Sequence, residues 1–421
     1  GALLAAIWIA GTADSGSVDI CAEVTCDDDN ECTEDICDPE DPWVCVFVSA
    51  PEDTPCDDEG VCDGAGSCVA CNDDAHCSDP LDDCLKRACL QHECGGAPVA
   101  DGTACAGGVC GAGRCELSGS VLPCTEQGIR NAIAAGGGPY TFDCDGPTTV
   151  TTRAEISIDN DVVLDGEGML TVDGNGDHRV FGVTANAELR SLTIRNGSAP
   201  KRIDHHSCGG IMNAGSLNLV DSEVSANSAD FGGGGGICNS GDLEVVRSAV
   251  RGNTAKACAG IFNNGGLTLI DSTVSGNTAE AGGGGICSSG TLTLSRSTVS
   301  ENSARYAGGI EAAGTLTVSD SALSDNISEE AGAGIFLVGE AALTDSTVSG
   351  SGSDESCIIH ITKAAGSMSV ANTSVVGCCS GRTDLVTSDG RSVEGPGDTC
   401  GFDQAADDPG APVDELEEGG R

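Results

Sequence analysis

GIFNNGGLTLIDSTVSGNTA, residues 260 to 279, is one unit of a repeat that decides the fold of this chain. Counterparts of its Ile261 stand at Ile211, Ile237, Ile286, Ile310 and Ile335, a period of 24 to 26 residues. A period in this range announces a solenoid, in which each repeat is one coil stacked on the last. Within the unit, Ile261, Leu267, Leu269 and Val274 belong to three short alternating stretches broken by Gly, Asn and Asp-Ser turns. Alternation over so few residues reads as strands, three to a coil. Helical repeats would need apolar spacing near 3.6 residues and would tolerate far less glycine. Stacked coils lie about 4.8 Å apart, so equivalent side chains sit on one another and small aliphatics suffice for a narrow core.

Asn227, Asn253, Asn277, Asn302 and Asn326 recur at a single phase of the repeat. An Asn there tolerates the left-handed backbone of a tight turn and can bond the next Asn in the stack, which makes a structural ladder. Upstream, Val163, Leu170, Val180, Leu189, Leu192 and Ile194 mark looser coils, so the expected solenoid spans 150–377. An open coil end is an unpaired sheet edge that needs a cover. CTEQGIRNAIAA (124–135), with Ile129 and Ile133 four apart, is the expected amphipathic cap within 124–145, and Cys124 and Cys144 are placed to staple it.

The N-terminal part is of another kind. Sixteen of the 26 cysteines lie between Cys21 and Cys115. They form two sets of eight, at 21–68 and 71–115, with similar spacings: a tandem duplication. Modules below fifty residues with almost no apolar core depend on cross-links, so disulfides inside each module are expected. Zinc fits less well, since the one C-x2-C spacing, Cys68 to Cys71, joins the modules. In the solenoid, Cys238 and Cys287 share a phase two coils apart, as do Cys208 and Cys258. That separation, about 9 to 10 Å, exceeds the roughly 7 Å limit of a disulfide, so neither pair should be bonded.

Net charge is -47, from 66 acidic and 19 basic residues, which excludes nucleic acid and anionic membranes as partners. The cysteine content points to an oxidising exterior. GALLAAIWIA (1–10), followed by Gly11-Thr12-Ala13, is too short to span a bilayer and reads as the remnant of a signal peptide over 1–13. The expected location is secreted, extracellular or on the cell surface in association with an outer membrane, with no transmembrane segment in the mature chain.

GIRNAIAA (128–135), VVLDGEGMLTVDGNGDHRVFGV (162–183), SLTIRNGSA (191–199) and the GGGI...LTL..STVSGNTA units resemble bacterial right-handed parallel β-helix surface proteins of the pectin-lyase-like fold. The repeat style is similar to that of the polymorphic outer membrane proteins. GRSVEGPGDTCGF (390–402) looks like the closing region of such exported proteins. The resemblance implies an all-β chain, two small disulfide-rich modules followed by a right-handed parallel β-helix, with 378–421 as a closing segment truncated before a surface anchor. It also implies two classes of function: adhesion or structure at the cell surface, with glycans or proteins as partners, or a polysaccharide lyase or hydrolase.

The residues favour the first. Polygalacturonase-like strings (NTD, DD, GHG, RIK) do not occur as a set, stacking aromatics are nearly absent, and no carboxylate ladder with an Arg at matching phase is evident between 209 and 350. Lys201, Arg202, Asp204, His205, His206 and Cys208 form the one unusual cluster, in an irregular insertion, and are the best single candidate for an acid/base or metal site. Adjacent histidines on a strand face opposite ways, so a solvated loop is the plainer reading. Calcium is the one cofactor that the spacing admits, on Asp27, Asp29 and Glu31 or on Asp173, Asn175 and Asp177, where oxygen ligands alternate. Neither run has the distal bidentate Glu of an EF-hand.

Overall fold

The computed structural model describes residues 30–400, apart from 38–44, 57–59, 66, 78–79, 81–82, 200–207, 231–232, 351–356, 363, 365, 389–391 and 396–398. The chain divides into two compact units, Gly1–Leu81 with Leu85–Val99, and Asp82–Cys84 with Ala100–Arg421. In the first, short antiparallel strands such as Thr33–Cys37 with Cys45–Ser49, and Leu85–Leu90 with Glu93–Pro98, surround almost no core. Its buried cluster is Cys32, Ala50, Cys56 and Cys62. Bonds Cys32–Cys62, Cys56–Cys68, Cys71–Cys89 and Cys77–Cys94 stand in for the missing apolar area. Each contributes on the order of 2 to 4 kcal/mol by restricting the unfolded chain.

The second unit starts with Cys84–Cys110 and Cys105–Cys115, the latter holding the small sheet of Ala104–Cys105, Gly108–Gly111 and Arg114–Leu117. A helix follows at Glu126–Ala135, begun by Thr125, whose Oγ1 accepts the Gly128 N–H at 3.1 Å. Ile129 and Ile133 turn into the same core as Leu122, Phe142 and Leu164. The buried Glu126 is neutralised by Arg130 at 2.7 Å and Arg153 at 3.3 Å, and Cys124 is bonded to Cys144.

From there on the unit is a parallel β-solenoid. A 10-stranded sheet runs from Ile156–Ile158 to Cys379–Gly381, and a 21-stranded sheet from Val121–Pro123 to Val393–Gly395, beyond both ends of the 150–377 span. A third, 5-stranded sheet of short strands such as Thr278–Ala279 closes the middle coils. Register holds every repeat residue on its counterpart: Ile211 on Ile237, Ile237 on Ile261, Ile261 on Ile286. All six repeat isoleucines are fully buried. Strands alternate inward and outward residues, so one continuous core extends through the unit.

Three polar ladders thread this core. Asn227, Asn253, Asn277, Asn302 and Asn326 are buried, each of the first four giving its backbone N–H and its Nδ2–H to the Oδ1 of the next. The expected turn role falls elsewhere: the left-handed backbone belongs to the preceding residue, with φ 54° at Ala226, 61° at Gly252 and 62° at Gly276. That frees the Asn side chain to point inward. A second ladder, Asn213 to Asn239 to Asn263 to Ser288, has Nδ2–H bonds of 2.7 to 2.9 Å. In the third, the N–H of Ser222, Ser248, Ser272, Ser297 and Ser321 each meets the next serine Oγ at 2.9 to 3.2 Å. Each ladder satisfies, coil by coil, backbone groups that a bend leaves unpaired. Gly260 is required by the same closeness, since a Cβ there would stand 2.3 Å from the Gly285 carbonyl oxygen.

Candidate functional site

Arg and carboxylate residues alternate on the outer bend between the two strand rows of the large sheet. Asp221, Arg247, Asp271, Arg296, Asp320 and Asp345 occupy one phase, all with φ between 46° and 50°. Arg247 grips Asp221 with Nε and Nη2, both at 2.8 Å, and Arg296 grips Asp271 at 2.8 and 3.0 Å. This corrects the expectation that no carboxylate ladder has an Arg at matching phase: the order Asp, Arg, Asp, Arg was hidden because the serine that follows each carries the more regular signal. Hydrogen bonds from the arginines hold Asp221 and Asp271 below the usual carboxylate range, and both arginines are raised in turn. Among the described residues every arginine from Arg130 to Arg382 is ion-paired. An arginine held in this way is a poor base for abstracting a substrate proton.

The calcium candidates are similarly engaged. Asp173 Oδ1 accepts the Asn175 N–H, while Oδ2 takes Arg195 at 3.0 Å and Asn196 at 2.7 Å. Asn175 Nδ2 donates to Asp177. The alternating oxygens thus tie off a turn with Asn175 at φ 59°, and a guanidinium already serves as the cation of Asp173. Glu31 is exposed beside Cys32, whereas Asp27 and Asp29 lie outside the described residues. Lys201, Arg202, Asp204, His205 and His206 lie outside them too; only Cys208 is placed, bonded to Cys238.

The outward positions of the ten-stranded sheet make a more distinctive row. Met212, Cys238, Phe262 and Cys287 follow one another in register, and the bonds Cys208–Cys238 and Cys258–Cys287 bracket Phe262. Cys238 and Cys287 are therefore not joined to each other; each reaches back to a loop cysteine. The row continues with Glu311, Phe336, His360 and Ser380. Phe336 stacks on His360, ring centroids 4.9 Å apart and planes at 22°. Tyr306 meets Phe336 edge to face at 6.3 Å and 65°, and Arg305 lies 5.4 Å from the Tyr306 centroid. Glu330 accepts Arg305 Nε at 2.6 Å.

Burial disfavours the charged forms of two groups in this stretch. Desolvation pushes the half-buried Glu311 carboxyl up, only partly offset by the Gly283 N–H, and it pushes His360 down. His360 Nδ1 is 2.8 Å from Ser380 Oγ. With Glu330 and Arg305 paired, the row from Glu311 to Ser380 offers rings, a carboxyl and a hydroxyl on a strongly acidic molecule. Sequence reading missed it because Tyr306 and Phe336 are 30 residues apart. Phe336 holds the outward x position of a G-I-x unit, whereas Tyr306 belongs to a strand of the five-stranded sheet, so no single phase of the repeat joins them.

No family model, no curated protein and no solved structure matches this chain.

Proposed function

We propose that this protein is an exported, cell-surface or extracellular binding rod, in which a parallel β-helix of pectin-lyase-like shape presents its faces to surface glycans or proteins. The observation that carries this reading is the density of disulfides, eleven among the described residues, spread over both units. Bonds of this number persist only in an oxidising compartment. Ladders in every coil stiffen the rod, and its outward faces are rich in Ser, Thr, Asn and Gly, which suits many weak hydrogen bonds along a surface. Paired arginines and the engaged Asp173 turn favour binding over a lyase or hydrolase. No helix among the described residues is long and apolar enough to cross a membrane.

Two measurements test this. Labelled protein should adhere to cells or immobilised surface material, and acidic and neutral polysaccharides incubated with it, with and without calcium, should yield no unsaturated or reducing ends. Steady product release would replace this reading with the enzyme; absence of adhesion to any surface would remove it.

A further inference from the structure

The stretch of the outer row where Tyr306, Phe336 and His360 meet is the most concentrated group of rings in the solenoid. Only seven Phe, two Tyr and two Trp occur in 421 residues, so one of the two tyrosines landing against a phenylalanine 30 residues on is a notable use of a scarce residue. None of these rings is needed for the core, which is closed by Ile, Leu and Val on the inner side of the same strands. Tyr306 stands at 65° to Phe336, so its ring is not part of the Phe336–His360 stack, and it is only half-buried. The neighbouring Arg305 is held by Glu330, which fixes that guanidinium beside the ring before any ligand arrives.

We propose that Tyr306, Phe336 and His360, flanked by Glu311 and Ser380, form a binding site for an uncharged pyranose unit of a surface glycan. This rests on the reading of the protein as a binding rod and names its ligand. A pyranose has a C–H-bearing face and a rim of hydroxyls. The face packs on the electron-rich side of an aromatic ring, whose quadrupole attracts weakly positive C–H groups. The rim needs hydrogen-bond donors and acceptors. Phe336 and Tyr306 supply the apolar corner, and the His360–Ser380 pair together with the Glu311 carboxyl supplies the rim. Charge selects against the alternatives. At -47 the chain repels uronates and sulfated chains, and the cation beside Tyr306, Arg305, is already held by Glu330. Phe262, in the same row but bracketed by two disulfides, with Cys238 and Cys287 as its register neighbours, serves as an internal control.

The experiment uses the full chain and a panel of neutral hexose and N-acetylhexosamine oligosaccharides beside uronate oligosaccharides of equal length, with binding read by ligand-observed NMR and calorimetry. Neutral members should bind and uronates should not. Phe336→Ala and Tyr306→Ala should each weaken neutral binding about tenfold, as loss of an aromatic anchor does, whereas Phe262→Ala should leave it unchanged. Circular dichroism and thermal melts, with Phe336→Leu as a milder variant, separate loss of the site from loss of the fold. Neutral binding that survives both alanine variants, or preference for uronates, overturns the site. If the variants still adhere to cells as the parent does, the binding-rod reading stands while this site falls; if the parent itself neither adheres nor binds, both fall.

Discussion

Asn277 is fastened to Asn302 twice: its Nδ2–H and its backbone N–H reach the same Oδ1, at 2.8 and 3.0 Å. Its own Oδ1 accepts the same two groups from Asn253, and its Nδ2–H also meets the Val250 carbonyl. All of this is fully buried. Asn277→Ala therefore strands both Asn253 donors, at a cost of about 1 to 3 kcal/mol for each buried group left unpaired. Ile261→Asp should cost more, because a carboxylate would enter a dry stack with no partner. Chemical denaturation of both variants should show two clear losses in this order; a neutral Asn277→Ala would refute the ladder.

Gly260→Ala is expected to destabilise the coil although it adds only a methyl group. The new Cβ would lie 2.3 Å from the Gly285 carbonyl oxygen and 3.1 Å from the Asn277 amide. Relief requires two coils to part, so the loss should fall at or above the 1 to 3 kcal/mol usual for overpacking. At Gly252, where φ is 61° and nothing stands near, Ala should cost only the left-handed backbone penalty, roughly 1 to 2 kcal/mol. Equal melting temperatures for the two variants would count against the tight coil contact at Gly260.

Non-reducing peptide mapping should recover Cys208 with Cys238 and Cys258 with Cys287, at Cα separations of 5.8 Å in both. Cys258→Ser with Cys287→Ser should lower stability by about 3 kcal/mol, the scale for closing a loop of this length, without unfolding the rod. A recovered Cys238–Cys287 peptide would show the coil register to be wrong.

Acid should weaken the protein in part through the outer Asp–Arg bend. Asp221 and Asp271 have folded pKa values below their unfolded ones because Arg247 and Arg296 hydrogen-bond them. Their contribution is present above the unfolded value, about 3.9, and is lost as pH falls through the lower folded value. Thermal melts from pH 6 downward should fall less steeply in the Arg247→Ala, Arg296→Ala double variant than in the parent.

Glu311 should work in the opposite direction. Burial raises its folded pKa, so its contribution is complete below the unfolded value, about 4.3, and disappears as pH rises through the folded one. Glu311→Gln should therefore gain stability relative to the parent as pH rises from 4 toward 8. An unchanged difference between the two across that range would mean that Glu311 is not desolvated.

Much of this molecule could be read from the chain. Ile211 through Ile335 gave the coil length, and the Gly-rich, Asn-punctuated units excluded helices; both follow from the one-dimensional nature of a solenoid. The Asn227 to Asn326 ladder was visible for the same reason, while its exact backbone role was not, because one residue of turn register moves the left-handed position to Ala226 or Gly252. The Ser222 to Ser346 ladder stood equally plainly in the repeat and was overlooked as ordinary turn composition.

What the sequence by itself determined is the stacking: in a parallel solenoid each residue meets its own counterpart one period away, so a 24 to 26 residue repeat is already a contact map for the core. What only the tertiary structure decided lies where the repeat is broken. Cys208 finds Cys238 and Tyr306 finds Phe336 because the loops between sheets differ in length and carry side chains sideways onto the next coil. Partners chosen by loop path rather than by period leave no regular signal along the chain. The candidate site joins one such partner, Tyr306, to the register row of Glu311, Phe336, His360 and Ser380, and it became visible only when the coils were stacked.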